Sequence, residues 1–361
     1  MVRAASVVCD DRVVDHAEVV VHDGRISEVR PAAGEVPDVV LAPGFVDLQV
    51  NGIGPLDVAG AQGDDWDAFD RALLAQGVTT WCPTLLSAPL GDLEAALGRV
   101  ADAARRPGGG RPDLAGAHLE GPFLAVAGAH RPECLRPRVD LDWLGGLPGL
   151  GTAVRVITLA PELPGAVEAV AHLSSAGVLV SLGHSAGDAE AALAAADAGA
   201  RLVTHLGNAM GAMRAREPGL LGAALADRRL SVSLICDLVH THPVLVRTAF
   251  AAKGAAGVAL VTDSVAVTPG AVTPPRLADG TLAGSVLTMP AAVSNAVHVG
   301  AAGLADALRS ASTTPARLLG LHDRGSIAPG RRADLVALAG GGGGPWTVEA
   351  VWVAGARVWP P

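Results

Sequence analysis

Residues 178–210 read VLVSLGHSAGDAEAALAAADAGARLVTHLGNAM. Val178–Leu182 and Arg201–Thr204 are short apolar runs of strand type, and Asp188–Ala198 between them is an Ala-rich helical stretch. The order is strand, helix, strand, the repeating unit of a parallel sheet. Both strands stop at a histidine, His184 and His205.

The same alternation continues outward in both directions. Phe45–Val50, Val78–Cys82, Leu114–Leu119 and Ala153–Leu159 come before it, and Ser231–Cys236 and Val258–Thr262 come after. Helical stretches such as Asp64–Ala75, Leu90–Ala104 and Pro164–Ser175 lie between the runs. Eight strand–helix units predict an α/β chain folded as a (β/α)8 barrel. A doubly wound open sheet is the alternative, but it would carry a Gly-rich phosphate loop after its first strand, and none is present.

The two ends have a different pattern. Glu18–His22, Asp23-Gly24 and Arg25–Val29 read as a hairpin, with Asp-Gly supplying the positive φ of a tight turn. Asp334–Leu338, Ala350–Val353, the Ala354-Gly355 turn and Ala356–Trp359 form a second β-rich end, with Gly340–Gly344 as a flexible loop. The two ends are expected to build one small β-sandwich domain, residues 1–43 with 326–361, beside a catalytic barrel of residues 44–325.

Composition narrows the class. The chain has 361 residues, half of them hydrophobic, which supplies a large core. With 27 Lys+Arg against 36 Asp+Glu the net charge is −9, which argues against nucleic-acid or membrane-surface binding. Lys occurs once, at Lys253, and this skew toward Arg is read as composition bias. Cys9, Cys82, Cys134 and Cys236 are far apart, so neither a disulfide framework nor a Cys-based zinc site is expected. The N-terminal residues lack a signal-peptide apolar core, and no apolar stretch is long enough to span a membrane. A cytoplasmic location is expected.

The polar residues gather at one end of the runs. Gln49-Val50-Asn51, His118-Leu119-Glu120, Gly183-His184, Thr204-His205, Asp237-Leu238-Val239-His240 and Thr262-Asp263 all follow or close an apolar segment. In a barrel these C-terminal strand ends open on one face, where active sites sit. Glu120, His184, His205 and Asp263 are therefore expected to converge. Two imidazoles and a carboxylate suit Zn²⁺ and leave a position open for water. Asp263 can then act as general base and later as general acid. A single buried histidine is ordinarily a hydrogen-bonded core residue, but a set at matching strand ends is not explained that way. His16, His22, His172 and His322 are expected in solvent. His242 before Pro243 is expected at a cap or turn, His298 toward the site or the core, and His118 on the face opposite Glu120 in a supporting role.

The motifs also carry a resemblance. Leu41–Asp47, HLEGPF at 118–123, GAH at 128–130, LGHS at 182–185, THLGNAM at 204–210, REPGL at 216–220, VTDS at 261–264 and LAGSVLTM at 282–289 occur in this order. TTPARLLGL through GRRADLV follows them. The chain resembles the amidohydrolase superfamily over nearly its whole length, and within it the deacetylases of N-acetylglucosamine 6-phosphate. The resemblance implies metal ligands Glu120, His184 and His205, a catalytic Asp263, and His130 polarising the acetyl carbonyl. It implies substrate contacts from Ala129, Asn208, Ala209, His240 and the loop Leu282-Ala283-Gly284. It also implies a phosphate contact from Arg216 donated across a homodimer interface.

Three positions depart from that pattern. Gln49-Val50-Asn51 stands where many relatives carry His-x-His, and amides are poor zinc ligands, so one divalent metal is expected rather than two. Zn²⁺ is favoured, with Fe²⁺, Co²⁺ or Mn²⁺ as alternatives. Leu238 follows Asp237 where Gly is usual, and Gly207 replaces an aromatic. Both bear on sugar specificity, so the epimeric N-acetylgalactosamine 6-phosphate, or another acylated amine, is the alternative substrate. An inactive metal-binding homologue is the remaining alternative.

Overall fold

The computed structural model describes residues 1–360 apart from 11, 148, 269, 272 and 341–343. Eight parallel strands form the barrel: Phe45–Val50, Val78–Leu86, Ala117–Glu120, Val154–Leu159, Leu179–Leu182, Leu202–Val203, Ser231–Ile235 and Val258–Val261. They are called barrel strands 1–8 in that order. Neighbours in sequence are neighbours in the sheet throughout. The ring closes between strands 8 and 1, where Val50 bridges Ser264 and the Asp263 N–H donates to Gln49 O at 2.9 Å. Closure leaves the parallel sheet no open edge. Each expected run becomes a strand, although the second extends to Leu86 and the third begins only at Ala117.

The helices follow from spacing and caps. Asp188 Oδ1 accepts from Ala191 N–H at 2.8 Å and starts the helix Ala189–Ala198. His242 caps the helix Pro243–Lys253 through its ring nitrogen, with Pro243 in the first turn, as its position before proline suggests. The apolar faces of the helices bury Ala, Val and Leu against the outside of the barrel.

Both termini join one sheet. Its order is Ala356–Trp359, Thr347–Val353, Leu335–Ala339, Val40–Pro43, Val2–Val8, Val13–His22, Arg25–Pro31. The expected sandwich is thus hydrogen-bonded as a single seven-stranded sheet with a core of its own around Val7, Val19, Ile26, Leu41 and Leu335. Both expected hairpins form. Asp23-Gly24 and Ala354-Gly355 each place two consecutive residues at positive φ. The Gly340–Gly344 loop lies mostly outside the described residues. Where the small sheet passes into barrel strand 1, Gly44 N–H bonds Asp334 O at 2.9 Å. A Cβ at Gly44 would stand 2.2 Å from Thr79 Oγ1, so the crossing requires glycine. Among the described residues no helix is long and apolar enough to cross a membrane.

Behind the first two strands Trp66, Phe69 and Trp81 form a buried aromatic cluster, with Phe69 and Trp81 stacked at 5.4 Å. This cluster anchors the helix Asp65–Leu74 to strand 2. Phe69→Ala is expected to lower the free energy of unfolding by about 3–5 kcal/mol, read in denaturant melts. A change below about 1 kcal/mol would show that the cluster is not a packing centre.

Candidate active site

The barrel strands end in residues that fold back over the mouth. His184, His205 and Asp263 adopt φ of 50°, 33° and 47°. Each left-handed residue reverses the chain just past its strand and turns its side chain inward, at about 1–3 kcal/mol of strain. Glu120 needs no reversal, because it already points inward from strand 3.

These residues meet as expected. Glu120 Oε1 lies 3.2 Å from His184 Nε2 and 2.9 Å from His205 Nε2, and the two Nε2 atoms are 3.1 Å apart. One ligand atom from each residue lies within 4.8 Å of the others, and all three side chains are buried. Val126 O accepts from His184 Nδ1 at 2.8 Å. A neutral His184 ring then presents its Nε2 lone pair to Glu120 and His205. Two converging lone pairs and a carboxylate repel one another unless a cation lies between them. The donor set therefore fits a divalent metal, with the Val126 bond fixing the tautomer. His205 Nδ1 is buried without a protein partner.

Gln49 and Asn51 take a role that sequence reasoning missed. Gln49 Nε2 donates to Glu120 Oε2 at 3.2 Å and to Asp263 Oδ1 at 2.9 Å. Asn51 Nδ2 donates to the same Asp263 oxygen at 2.8 Å. Gln49 bridges the two carboxylates and Asn51 supports Asp263, in the place where the expected pattern of other chains puts ligands. The residue types excluded metal binding, but their donor role became visible only with the partners in place.

His130 stands beside the ligands. Its Nδ1 accepts from Ser87 N–H at 3.2 Å, so a neutral ring carries its proton on Nε2, which lies 3.9 Å from Glu120 Oε2. Burial lowers His130 to about 4 from its ordinary 6.5, which keeps the ring neutral. The site thus contains an uncharged N–H donor facing the metal ligands. Ser87 gave no sequence signal, since it lies past the expected end of strand 2.

His118 corrects one expectation. It is two residues before Glu120 and shares its inward face, rather than the opposite one. Its Nε2 bonds Thr158 Oγ1 at 2.8 Å, and Thr158 and Ser181 both bond Thr204. It forms a polar floor beneath the ligands. His298 faces solvent, neither the site nor the core, and His16, His22, His172 and His322 are exposed as expected.

A cavity of about 360 Å³ lies over this group, lined by Glu120, His130, His184, His205 and Asp263. Ala129, Asn208, Ala209, His240, Leu282, Ala283 and Gly284 complete its wall. The Ala209 N–H has no protein partner among the described residues. Asp237 Oδ2 holds His240 Nδ1 at 2.6 Å, leaving His240 Nε2 buried and unpartnered. Asp237, one of the polar residues at the strand ends, thus holds His240, a role its position in the sequence did not reveal. Leu238 carries φ 64° where glycine would be unstrained, yet His240 is still held. At Gly207 a Cβ would come 2.6 Å from the Leu245 side chain, which would have to shift, and the φ of 87° strains any residue but glycine. Arg216 does not line this cavity. It is exposed on the following loop, beside a separate recess with Asp188, Arg214 and Glu217.

The two carboxylates titrate in opposite directions. In the ion-free site burial would raise Glu120, but hydrogen bonds from His184 and His205, and their positive charge when protonated, outweigh it and hold the group well below its ordinary 4.5. Burial first, and the Glu120 charge second, raise Asp263 from 3.8 to about 8. A divalent ion in the site would oppose both causes.

Three comparisons bear on these residues. The Amidohydrolase family profile matches residues 40–358. The N-acetylgalactosamine-6-phosphate deacetylase of Escherichia coli O157:H7 is 35% identical, covering 98% of both chains. The N-acetylglucosamine-6-phosphate deacetylase of Bacillus subtilis (strain 168) is 33% identical, covering 94% of this chain and 93% of its own. A point mutant of the Mycobacterium smegmatis N-acetyl-D-glucosamine-6-phosphate deacetylase, in complex with N-acetyl-D-glucosamine-6-phosphate, superposes with a TM-score of 0.91. It is 32% identical over 99% of this chain and 98% of its own.

The raised Asp263 yields a pH prediction. Its proton is held more tightly folded than unfolded, so stability falls as pH rises from about 4 to about 8. In metal-free protein Asp263→Asn removes that loss. Its thermal midpoint is expected above the wild type's at about pH 8, with the two converging toward about pH 4. A difference independent of pH would contradict the raised value.

Proposed function

The chain belongs to the amidohydrolase family, and from that premise we propose that it removes the acetyl group from N-acetylglucosamine 6-phosphate, giving glucosamine 6-phosphate and acetate. The observation that carries this reading is one cavity uniting Glu120, His184 and His205 with Asp263 and His130. The near full-length relatives act, by name, on acetylated amino-sugar phosphates.

Glu120, His184 and His205 would hold one divalent ion, which we take to be Zn²⁺. When bound, it lowers the pKa of a coordinated water and polarises a carbonyl. Asp263 receives the proton of the attacking water. Gln49 and Asn51 both donate to its Oδ1, which orients the carboxylate and leaves Oδ2 for the proton. The His130 Nε2–H donates to the carbonyl oxygen as negative charge develops there. Asp263 then returns the proton to the departing amine.

The remaining contacts recognise the sugar phosphate. Asn208 and the unpartnered Ala209 N–H offer donors to the phosphate, and His240 Nε2 offers a polar contact to the sugar. Ala129 and Leu282-Ala283-Gly284 close the wall. Arg216, exposed and outside the cavity of its own chain, would complete the phosphate site of a second copy in a homodimer. The four free cysteines suit a reducing compartment, and the cytoplasm is the location we propose. The E. coli relative favours one second reading, the galacto epimer, which uses the same catalytic residues.

Acetate release from both epimers, phosphorylated and unphosphorylated, tests the proposal. Activity is expected on a 6-phosphate and little on either free sugar. Metal-loaded protein inactive on both phosphates would overturn the substrate assignment. Asp263→Asn should lower kcat by about 10²–10⁴-fold. Arg216→Ala should raise KM for the phosphorylated sugar while leaving any activity on the free sugar unchanged.

A further inference from the structure

A cavity of about 1120 Å³ lies at the end of the barrel away from the catalytic site. Val178, Arg201, Ser231 and Gly257 line it at the starts of barrel strands 5–8. The far ends of strands 5, 6 and 8 lead to His184, His205 and Asp263. Six lining residues are basic, namely Arg155, Arg201, Arg228, Arg229, Lys253 and Arg317, and no Asp or Glu lines it. The single lysine of this acidic chain is among them.

Capping of helix ends accounts for part of this charge. Arg201 Nη1 donates to Ala196 O at 2.8 Å and Ala200 O at 2.7 Å, Arg317 to Ala256 O at 2.6 Å, and Lys253 to Asp227 O at 2.6 Å. Arg155 bonds the carbonyls of Gly151 and Leu319, and Arg229 pairs with Asp227 and Asp197. Three groups stand outside that account. Arg228 is exposed and makes no hydrogen bond or ion pair among the described residues. Arg155 Nε and Ser174 Oγ are buried without partners.

The charge balance has a definite sign. The helices Ala166–Ser175, Ala189–Ala198, Gly219–Ala226, Pro243–Lys253 and Thr313–Leu318 end at the rim. Each contributes about half a negative charge. With Asp227 and Asp197 they offset about four to five of the six positive charges and leave a net positive charge of about one to two. Guanidinium forks match phosphate oxygens. The volume exceeds what a bare ion needs and leaves room for an organic body beside the phosphate. We propose that this cavity binds a small phosphomonoester dianion, at a site separate from the catalytic one.

Calorimetric titration of metal-loaded protein with adenosine 5′-monophosphate tests this, with adenosine and inorganic phosphate in parallel arms. The monophosphate is expected to bind, more tightly than inorganic phosphate, while adenosine gives no heat. Arg201→Ala/Arg228→Ala should weaken binding by about tenfold or more, with kcat for acetate release kept within about twofold. Arg228→Glu alone, altering a side chain with no bonds to lose, should weaken it in the same direction. Arg216→Ala should leave it unchanged. Absence of binding, binding unaffected by both basal variants, or loss in Arg216→Ala would overturn the assignment. Phosphate binding as tight as the monophosphate would overturn the ester. The readout does not depend on which acetylated sugar the catalytic site takes.

Discussion

Glu120 and Asp263 are two carboxylates buried in one small cavity, and their repulsion is the constraint the site is built around. Burial alone would force both toward the neutral form. Two imidazoles on one side of Glu120 and the Gln49 amide on the other hold it as an anion, while Asp263 carries the remaining penalty. The result is a pair of like chemical groups held in different states, which on the proposed function separates the task of a ligand from that of a proton carrier. A barrel permits this because each group is delivered from a different strand, and no loop has to fold through the interior to bring them together.

The polar interior has the same logic. Beneath the ligands, His118, Thr158, Ser181 and Thr204 pass hydrogen bonds from strand to strand where an ordinary barrel would pack branched apolar residues. Every member is bonded, so the network adds rigidity without leaving an unpaired group at its centre. Asp47 separately ties strand 1 to the end of strand 8. Buried and raised to about 6, chiefly by burial, it accepts from Thr262 Oγ1 at 2.6 Å and so sets the turn into Asp263. The reactive side chains thus rest on a platform of short, directional bonds.

Much of this architecture was legible in the chain. Eight apolar runs and their polar terminators gave the barrel, and the histidines at strand ends gave the ligand set. What escaped were relations between residues that a linear reading treats singly. Gln49 and Asn51 could be excluded as ligands by residue type, but their bond to Asp263 depends on ring closure between strands 8 and 1. Ser87 lies beyond the apparent end of its strand, because Pro83 and Thr84 interrupt the apolar pattern that the backbone continues. His118 was misplaced by one face, an error that counting along the strand alone could have avoided. The basic cavity was hidden for a different reason: its six cations are scattered from residue 155 to 317, and a lone lysine carries no pattern.

The left-handed turns at His184, His205 and Asp263 have an evolutionary consequence. At Asp263 asparagine would relax the backbone and remove a buried acid, whereas loss of His184 or His205 would leave the buried Glu120 short of a partner. A substitution expected to stop the proposed chemistry is therefore also one that would make the ion-free fold more durable. Random drift at Asp263 runs downhill in free energy toward a sturdier, inert barrel. Only continued selection for turnover can hold the chain on the slope.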